Sequence, residues 1–487
     1  MSNFITNVLK LVSGSATAQI LSILLVPLIT RIYSPEDFGI FQLFLSISGI
    51  LIILSTFSYQ FAIMLPKRDE DSANLAILCS LLVSFVSFLT AIIALLVPKD
   101  IEYILNAPGI SQYLIYIPAI TFFNGIFFAQ NYWLSRKTNF GTIAGSRIVN
   151  SISTRVFQFV IPVIGNASPL GLILGYVAGY GCADLFMLKG VKEDFNIFSN
   201  VSLKRMKELA IEYKSFPLYN TWSMLANTIS PQVPTIFLAY YYSTSVVGYF
   251  SLANQVVNMP MSLLGKAIEQ VFFQKVSEAK NGKHPEDIKT IVGEVYKKLI
   301  LIGVFPMLLL MILGEDIFTF AFGKNWYIAG VYIKILIPWV FLSFLSLPIS
   351  DLFLLYDKQG VWFTFSMILL ISRVIAMVIG GTYGGPEFAL SLFSFTGIIF
   401  WLWNNAYLLG LAGIKKRESF AVLIKYTTIG LIISIPLILL KEFSVNIYVM
   451  FLAVAIITPI YYGITLHDDP TFKKMFSAFL ANVKNKI

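Results

Sequence analysis

The chain of 487 residues predicts an all-α polytopic membrane protein with about fourteen transmembrane helices. Three observations carry that reading. The composition is 57% hydrophobic and only 13% charged, with a mean hydropathy of +0.77, too little charge to cover a soluble fold of this length. Apolar segments of about 20 residues recur along the whole chain, each long enough to cross a bilayer as a helix. Basic residues gather in alternate connections between those segments, as positive-inside ordering requires.

Hydropathy places the spans at 11–32, 38–65, 73–97, 111–133, 140–164, 168–189, 216–240, 246–270, 296–313, 331–355, 360–380, 387–411, 420–440 and 446–466. With the N-terminus in the cytoplasm, the even-numbered connections and both ends hold nearly all of the lysines and arginines outside the spans. The opposite side holds only Arg31, Lys99, Lys324 and Lys441. A miscounted helix would scramble this asymmetry downstream of the error, so it supports both the count and cytoplasmic termini. The net charge of +9 is therefore expected to face anionic lipid, with no nucleic-acid partner. Lys10 precedes a long apolar run without a small-residue cleavage site, so the first helix is expected to stay. Cys79 and Cys182 lie in apolar spans and read as packing residues.

The connection 190–215 is basic and divides the chain. An N-terminal six-helix lobe, 1–189, precedes this linker; a C-terminal six-helix lobe, 216–411, follows, and 412–487 adds two helices and a cytoplasmic tail. Within the linker, Leu203, Met206, Leu209 and Ala210 suggest an amphipathic helix along the membrane surface. An internal repeat supports the division. Val26-Pro27 and then Phe38-Gly39-Ile40-Phe41-Gln42-Leu43 recur as Val233-Pro234 and then Val247-Gly248-Tyr249-Phe250-Ser251-Leu252. Six spans return the chain to the same side, so the halves are expected to be parallel pseudo-repeats about an axis along the membrane normal.

Span five organises the functional reading. At about 100° per residue, Arg147, Asn150, Ser151, Thr154, Arg155 and Gln158 share one arc while apolar side chains cover the rest. Lipid would leave those groups unsatisfied, so the polar face is expected to turn inward. An arginine near the bilayer centre costs at least about 2.5–3.5 kcal/mol on insertion scales. Arg373, about 13 residues into span eleven, is the repeat counterpart. Asn220, Ser223, Asn227 and Ser230 form a polar face on span seven, and Asn254, Asn258, Ser262 and Lys266 on span eight. Against Arg147, Arg155, Lys266 and Arg373 stand the acids Asp184, Glu269 and Asp351, for charge pairing or ion coupling. Lys266 and Glu269 are spaced to pair, Asp184 is placed to pair with Arg147, and Lys334 near a helix end reads as snorkelling. Arg155 and Arg373 are left as surplus deep cations, and arginine's planar fork suits phosphate oxygens. The alternative is that these arginines are paired and serve only packing.

Catalytic constellations are missing. The two histidines, His284 and His467, lie in connections, and no Cys/His spacing suits zinc. No glycine-rich loop with Gly-Lys-Ser/Thr binds ATP, so neither metal nor cofactor is expected beyond a coupling H+ or Na+. Asp69-Glu70-Asp71 reads as solvated surface. Gly171, Gly175 and Gly179 read as a face for close helix contact.

Residues Pro27-Leu-Ile-Thr-Arg31-Ile-Tyr-Ser-Pro-Glu-Asp-Phe-Gly39-Ile-Phe resemble the opening signature of bacterial polysaccharide repeat-unit flippases, the O-antigen-type translocases. These belong to the multidrug/oligosaccharidyl-lipid/polysaccharide exporter superfamily. The resemblance implies two six-helix bundles enclosing a central cationic cavity, with alternating access for an undecaprenyl-diphosphate-linked oligosaccharide in the bacterial inner membrane, serving O-antigen, capsule or exopolysaccharide synthesis, beside a polysaccharide polymerase and a chain-length regulator. It also places Arg31 in the substrate cavity, the alternative being an anchor at the outer interface. A drug/cation antiporter of the same superfamily would want unpaired acids in the N-terminal half, where Asp184 alone qualifies. A polysaccharide polymerase would need longer outer loops than this chain has.

Overall fold

The computed structural model describes residues 24–165, 167–281, 286–443 and 445–469. Among them there is no strand; helix follows helix. In order these are α1 (24–32), α2 (Pro35–Thr56), α3 (Asp69–Leu96), α4 (Ser111–Arg136, opening with a 3-10 turn), α5 (Phe140–Ile164), α6 (Pro169–Lys192), α7 (Thr221–Tyr241), α8 (Thr244–Asn281), α9 (Glu286–Phe322), α10 (Tyr327–Ser346), α11 (Gln359–Tyr383), α12 (Pro386–Leu411), α13 (Lys416–Glu442) and α14 (Ile447–Asp468). Each overlaps one expected span. Ten helices among the described residues are long and apolar enough to cross a membrane. Outside that group lie α1, of which the described part is short, and α5, α7 and α8, whose polar faces dilute their hydropathy.

The chain groups into two compact units, Met1–Ser251 and Leu252–Ile487. Their boundary falls beyond α7, whereas the sequence places the lobe boundary at the linker 190–215.

In the first unit the flippase-like motif builds the α1–α2 turn. Ser34 caps α2: its hydroxyl accepts from the Asp37 amide at 3.2 Å while the Asp37 carboxylate accepts from the Ser34 amide at 2.8 Å. Pro35 occupies the first helical position, where its missing N–H costs nothing. Of the acids at the start of α3, Asp71 is buried, while Asp69 and Glu70 stay partly exposed, and all three are ion-paired. Asp69 accepts from Arg136 Nε at 2.8 Å and Lys137 Nζ at 2.7 Å, and Asp71 takes the Arg205 fork at 2.7 and 3.0 Å. Negative charge at this helix N-terminus also suits the macrodipole. Arg205 belongs to the linker helix Leu203–Glu212, which docks on α3 through buried Met206 and Leu209, with Tyr59 Oη donating to the Ala210 carbonyl at 2.8 Å. Leu203, expected on that apolar face, points away and is exposed.

Close packing of α5 on α6 follows from the glycines. A Cβ on Gly175 would stand 2.9 Å from the Thr154 carbonyl and 3.0 Å from the Gln158 amide, and Gly179 abuts Thr154. Only glycine lets the backbones approach so far. Near its end α5 contains Pro162, which cannot donate to the carbonyl of Gln158. The Tyr33 hydroxyl fills the gap, donating to that carbonyl at 2.8 Å. A tyrosine from the motif thus mends the break in α5.

In the second unit α9 packs against α10, α13 and α14. Phe305 stacks on Tyr461 at 4.7 Å, and Tyr462 Oη donates to the Ile302 carbonyl at 3.1 Å, so the two last helices are anchored on α9. Lys334, read as snorkelling, is instead ion-paired to Glu315 at 2.6 Å. Lys441 bridges Glu315 and Asp316 at 2.9 and 3.1 Å.

A candidate cationic transport site

The structure sorts the polar face of α5 into two roles. Ser151, Thr154 and Gln158, expected to line a cavity, are buried, and Thr154 and Gln158 pack against the glycines of α6. Arg147, Asn150 and Arg155 stay at the half-buried edge. Arg155 Nη1 donates to Gln158 Oε1 at 2.9 Å, and Gln158 Nε2 donates to the Leu172 carbonyl at 3.1 Å. Among the described residues no carboxylate lies within ion-pair distance of Arg155. A neutral amide therefore aims this guanidinium and leaves its charge uncompensated. Its remaining N–H groups are available to an anion. The chain Tyr33–Gln158–Arg155 links the α1–α2 motif to the deep cation. Arg31 itself is exposed at the end of α1.

Asp184 on α6 is 6% exposed, and neither carboxylate oxygen has a hydrogen-bond partner among the described residues. The expected pair with Arg147 is not formed. Asn227 on α7 and Asn220, just before its start, are exposed. Ser46 Oγ of α2 donates to Gln232 Oε1 of α7 at 2.7 Å, and Thr221 Oγ1 of α7 donates to Ser58 Oγ, just past the end of α2, at 3.0 Å.

In the second unit Arg373 on α11 sits differently from its repeat counterpart. It is 8% exposed, with its guanidinium 4.6 Å from the ring centroid of Trp339 on α10 and 4.4 Å from that of Phe393 on α12. Nε and Nη2 have no hydrogen-bond partner among the described residues. Two aromatic faces stabilise the charge by about 0.5–2 kcal/mol each, but do not satisfy those N–H groups. Arg373 is therefore sealed between rings where the sequence reading has it facing a wet cavity. The aromatic residues on the neighbouring spans were a signal for this, but nothing in the spacing says which of them meet.

Asn254 and Asn258 bond each other along α8, Asn258 Nδ2 reaching Asn254 Oδ1 at 2.7 Å. Glu269 is half-buried, and the side chain of Lys266 lies outside the described residues. Asp351 is half-buried at the start of the single turn Leu352–Leu355. The arrangement offers anion-binding groups and no nucleophile–base pair; no cluster of metal-ligating side chains occurs among the described residues.

The profile of a family described as "Polysaccharide biosynthesis protein" matches residues 28–329. The chain is 25% identical over 173 residues to the lipopolysaccharide biosynthesis protein WzxC of Escherichia coli (strain K12), covering 35% of this chain and 34% of that protein. It is 21% identical over 309 residues to the succinoglycan biosynthesis transport protein ExoT of Rhizobium meliloti (strain 1021), covering 62% and 59%. The matches thus span a third and three fifths of those relatives. Among solved structures, the lipid II flippase MurJ in an inward closed conformation superposes with a TM-score of 0.72 at 15% identity, over 94% of this chain and 99% of that one. An inward-facing multidrug resistance MATE transporter of the MOP superfamily gives 0.61 at 15% identity, over 81% and 95%. At such identities the likeness is one of fold alone, that of a multi-helix bundle.

Proposed function

We propose that this chain, which belongs to the polysaccharide biosynthesis protein family, translocates undecaprenyl-diphosphate-linked oligosaccharide repeat units from the cytoplasmic to the outer leaflet by alternating access. The observation that carries the reading is Arg155, held on α5 by a neutral glutamine and, among the described residues, by no acid. Keeping an unpaired cation there is costly unless a bound anion offsets the cost during the cycle. A diphosphate supplies that charge, and its oxygens match the guanidinium fork. Arg147 and Arg31 extend the positive potential on the first unit. The driving force is an ion gradient, for which the unpartnered carboxylate of Asp184 is the candidate H+ or Na+ carrier. A polysaccharide polymerase and chain-length regulator would take the product on the far side.

A drug/cation antiporter is the second reading, and Asp184 is the observation that favours it. Arginines outnumber such acids here, which disfavours a cationic cargo. The test compares Arg155→Ala, Arg155→Lys and Asp184→Asn in a strain lacking the chromosomal copy, reading surface polysaccharide per molecule of membrane protein. Alanine at Arg155 should nearly abolish export at normal protein level, and lysine should retain part of it. Wild-type export per molecule by Arg155→Ala would overturn the reading. Loss of drug efflux in Asp184→Asn with intact polysaccharide would favour the antiporter.

A further inference from the structure

The open face of α7 carries a chemistry that the cationic site does not use. Tyr219 and Trp222 are 73% and 66% exposed, and Asn220, Ser223 and Asn227 are exposed beside them. At helical spacing the rings occupy one edge of this face and the amides the other, with Ser223 and half-buried Ser230 between. A single π-helical turn, Phe216–Asn220, leads into the helix. Pro231 and Pro234 follow within α7, so the carbonyls of Asn227 and Ser230 have no N–H four residues on to bond. Side-chain amides, hydroxyls and freed carbonyls therefore share one exposed face with two aromatic rings.

Acyl chains do not suit that face, because amides and loose carbonyls turned to lipid would stay unsatisfied. Interfacial anchoring would account for Tyr219 and Trp222 alone, but gives no reason for the polar row beside them. Rings that cover apolar C–H faces, set next to donors and acceptors for hydroxyls, are complementary to a pyranose, which presents both kinds of surface at once.

We infer that this face of α7 binds the sugar portion of the cargo: Tyr219 and Trp222 stack on hexose rings, and Asn220, Ser223 and Asn227 bond their hydroxyls. The inference rests on the flippase reading and deepens it, separating a sugar subsite on α7 from the diphosphate site at Arg155. The aromatic rings require a pyranose face of axial C–H groups, and the amides add orientation.

The test uses the full-length protein purified in detergent and measures binding of two probes, undecaprenyl diphosphate and undecaprenyl-diphosphoryl-N-acetylglucosamine. Wild-type protein should bind the glycosylated lipid about tenfold tighter, the scale of one or two aromatic and amide contacts. Trp222→Ala and Asn227→Ala should erase that margin without changing affinity for the bare lipid, and Trp222→Phe should keep most of it. Arg155→Ala should weaken both probes alike. If Trp222→Ala binds the glycosylated lipid as wild type does, or loses both probes equally, the sugar face is refuted while the flippase reading stands. If wild-type protein binds neither lipid, it is the flippase reading that falls.

Discussion

Gly39 on α2 and Gly248 on α8 lie back to back in the first unit, each against the other's helical turn. A Cβ on Gly39 would run into the carbonyl of Thr244, and one on Gly248 into the carbonyl of Pro35, the residue four before the partner glycine in each case. Each added carbon would also stand 3.2 Å from the partner glycine's amide. These are the glycines of the two repeat copies. The two stretches that resemble each other in the sequence thus meet in a reciprocal contact.

Backbone cannot give way as a side chain tip does, so alanine at either position must push the helices apart. Gly39→Ala and Gly248→Ala are each expected to destabilise detergent-purified protein by about 1–3 kcal/mol, overriding the roughly 1 kcal/mol by which alanine favours a helix. At Gly141 and Gly410 an added Cβ meets nothing within 4 Å, so alanine there should be neutral or stabilising. Thermal unfolding of the four variants checks the contrast. Equal melting temperatures across all four would remove the back-to-back contact as a determinant.

Gln158 aims Arg155 without neutralising it. Gln158→Glu keeps the shape and supplies a carboxylate at the same 2.9 Å contact, with the loss of the bond to the Leu172 carbonyl. We expect normal membrane levels and a loss of surface polysaccharide approaching that of Arg155→Ala, because the cation is now paired. If Arg155 served only packing, the new ion pair would leave export unchanged. Quantifying polysaccharide against protein level distinguishes the two.

Glu315 joins Lys334 of α10 and Lys441 of α13 to α9. All three side chains are partly screened, so each pair should contribute about 1 kcal/mol rather than the larger values of fully buried pairs. A double-mutant cycle of Glu315→Gln with Lys334→Met, read by thermal unfolding, should give a coupling of that size. Additive effects would return Lys334 to the role of a snorkelling anchor.

Topology is testable at residues that the fold leaves accessible. Single cysteines at Tyr103 and Tyr383, both exposed, should react with an impermeant reagent from outside intact cells, and those at Asn200 and Lys358 only after lysis. Ser72 and Ser419 are buried and would report nothing on either side. Outside labelling at Asn200 would invert the orientation drawn from the basic residues.

The sequence by itself determined the class, the helices and the family. Hydropathy and charge asymmetry act over whole segments, so no packing detail can hide them, and every described long helix overlaps an expected span. Residues 27–41 carried the family resemblance, which the family profile bears out, because they are local chemistry: a capping box, a proline at its first turn and a glycine at a close crossing. Tertiary structure decided which face of α5 meets a neighbour. Periodicity placed Thr154, Arg155 and Gln158 on one arc, yet only the glycines of α6 show that Thr154 and Gln158 pack and Arg155 does not. The clamp of Trp339 and Phe393 on Arg373, and the pairing of Lys334 with Glu315, join residues from separate helices. Partners so far apart in sequence leave no periodic trace, because side-chain spacing along one helix carries no record of which helix lies beside it.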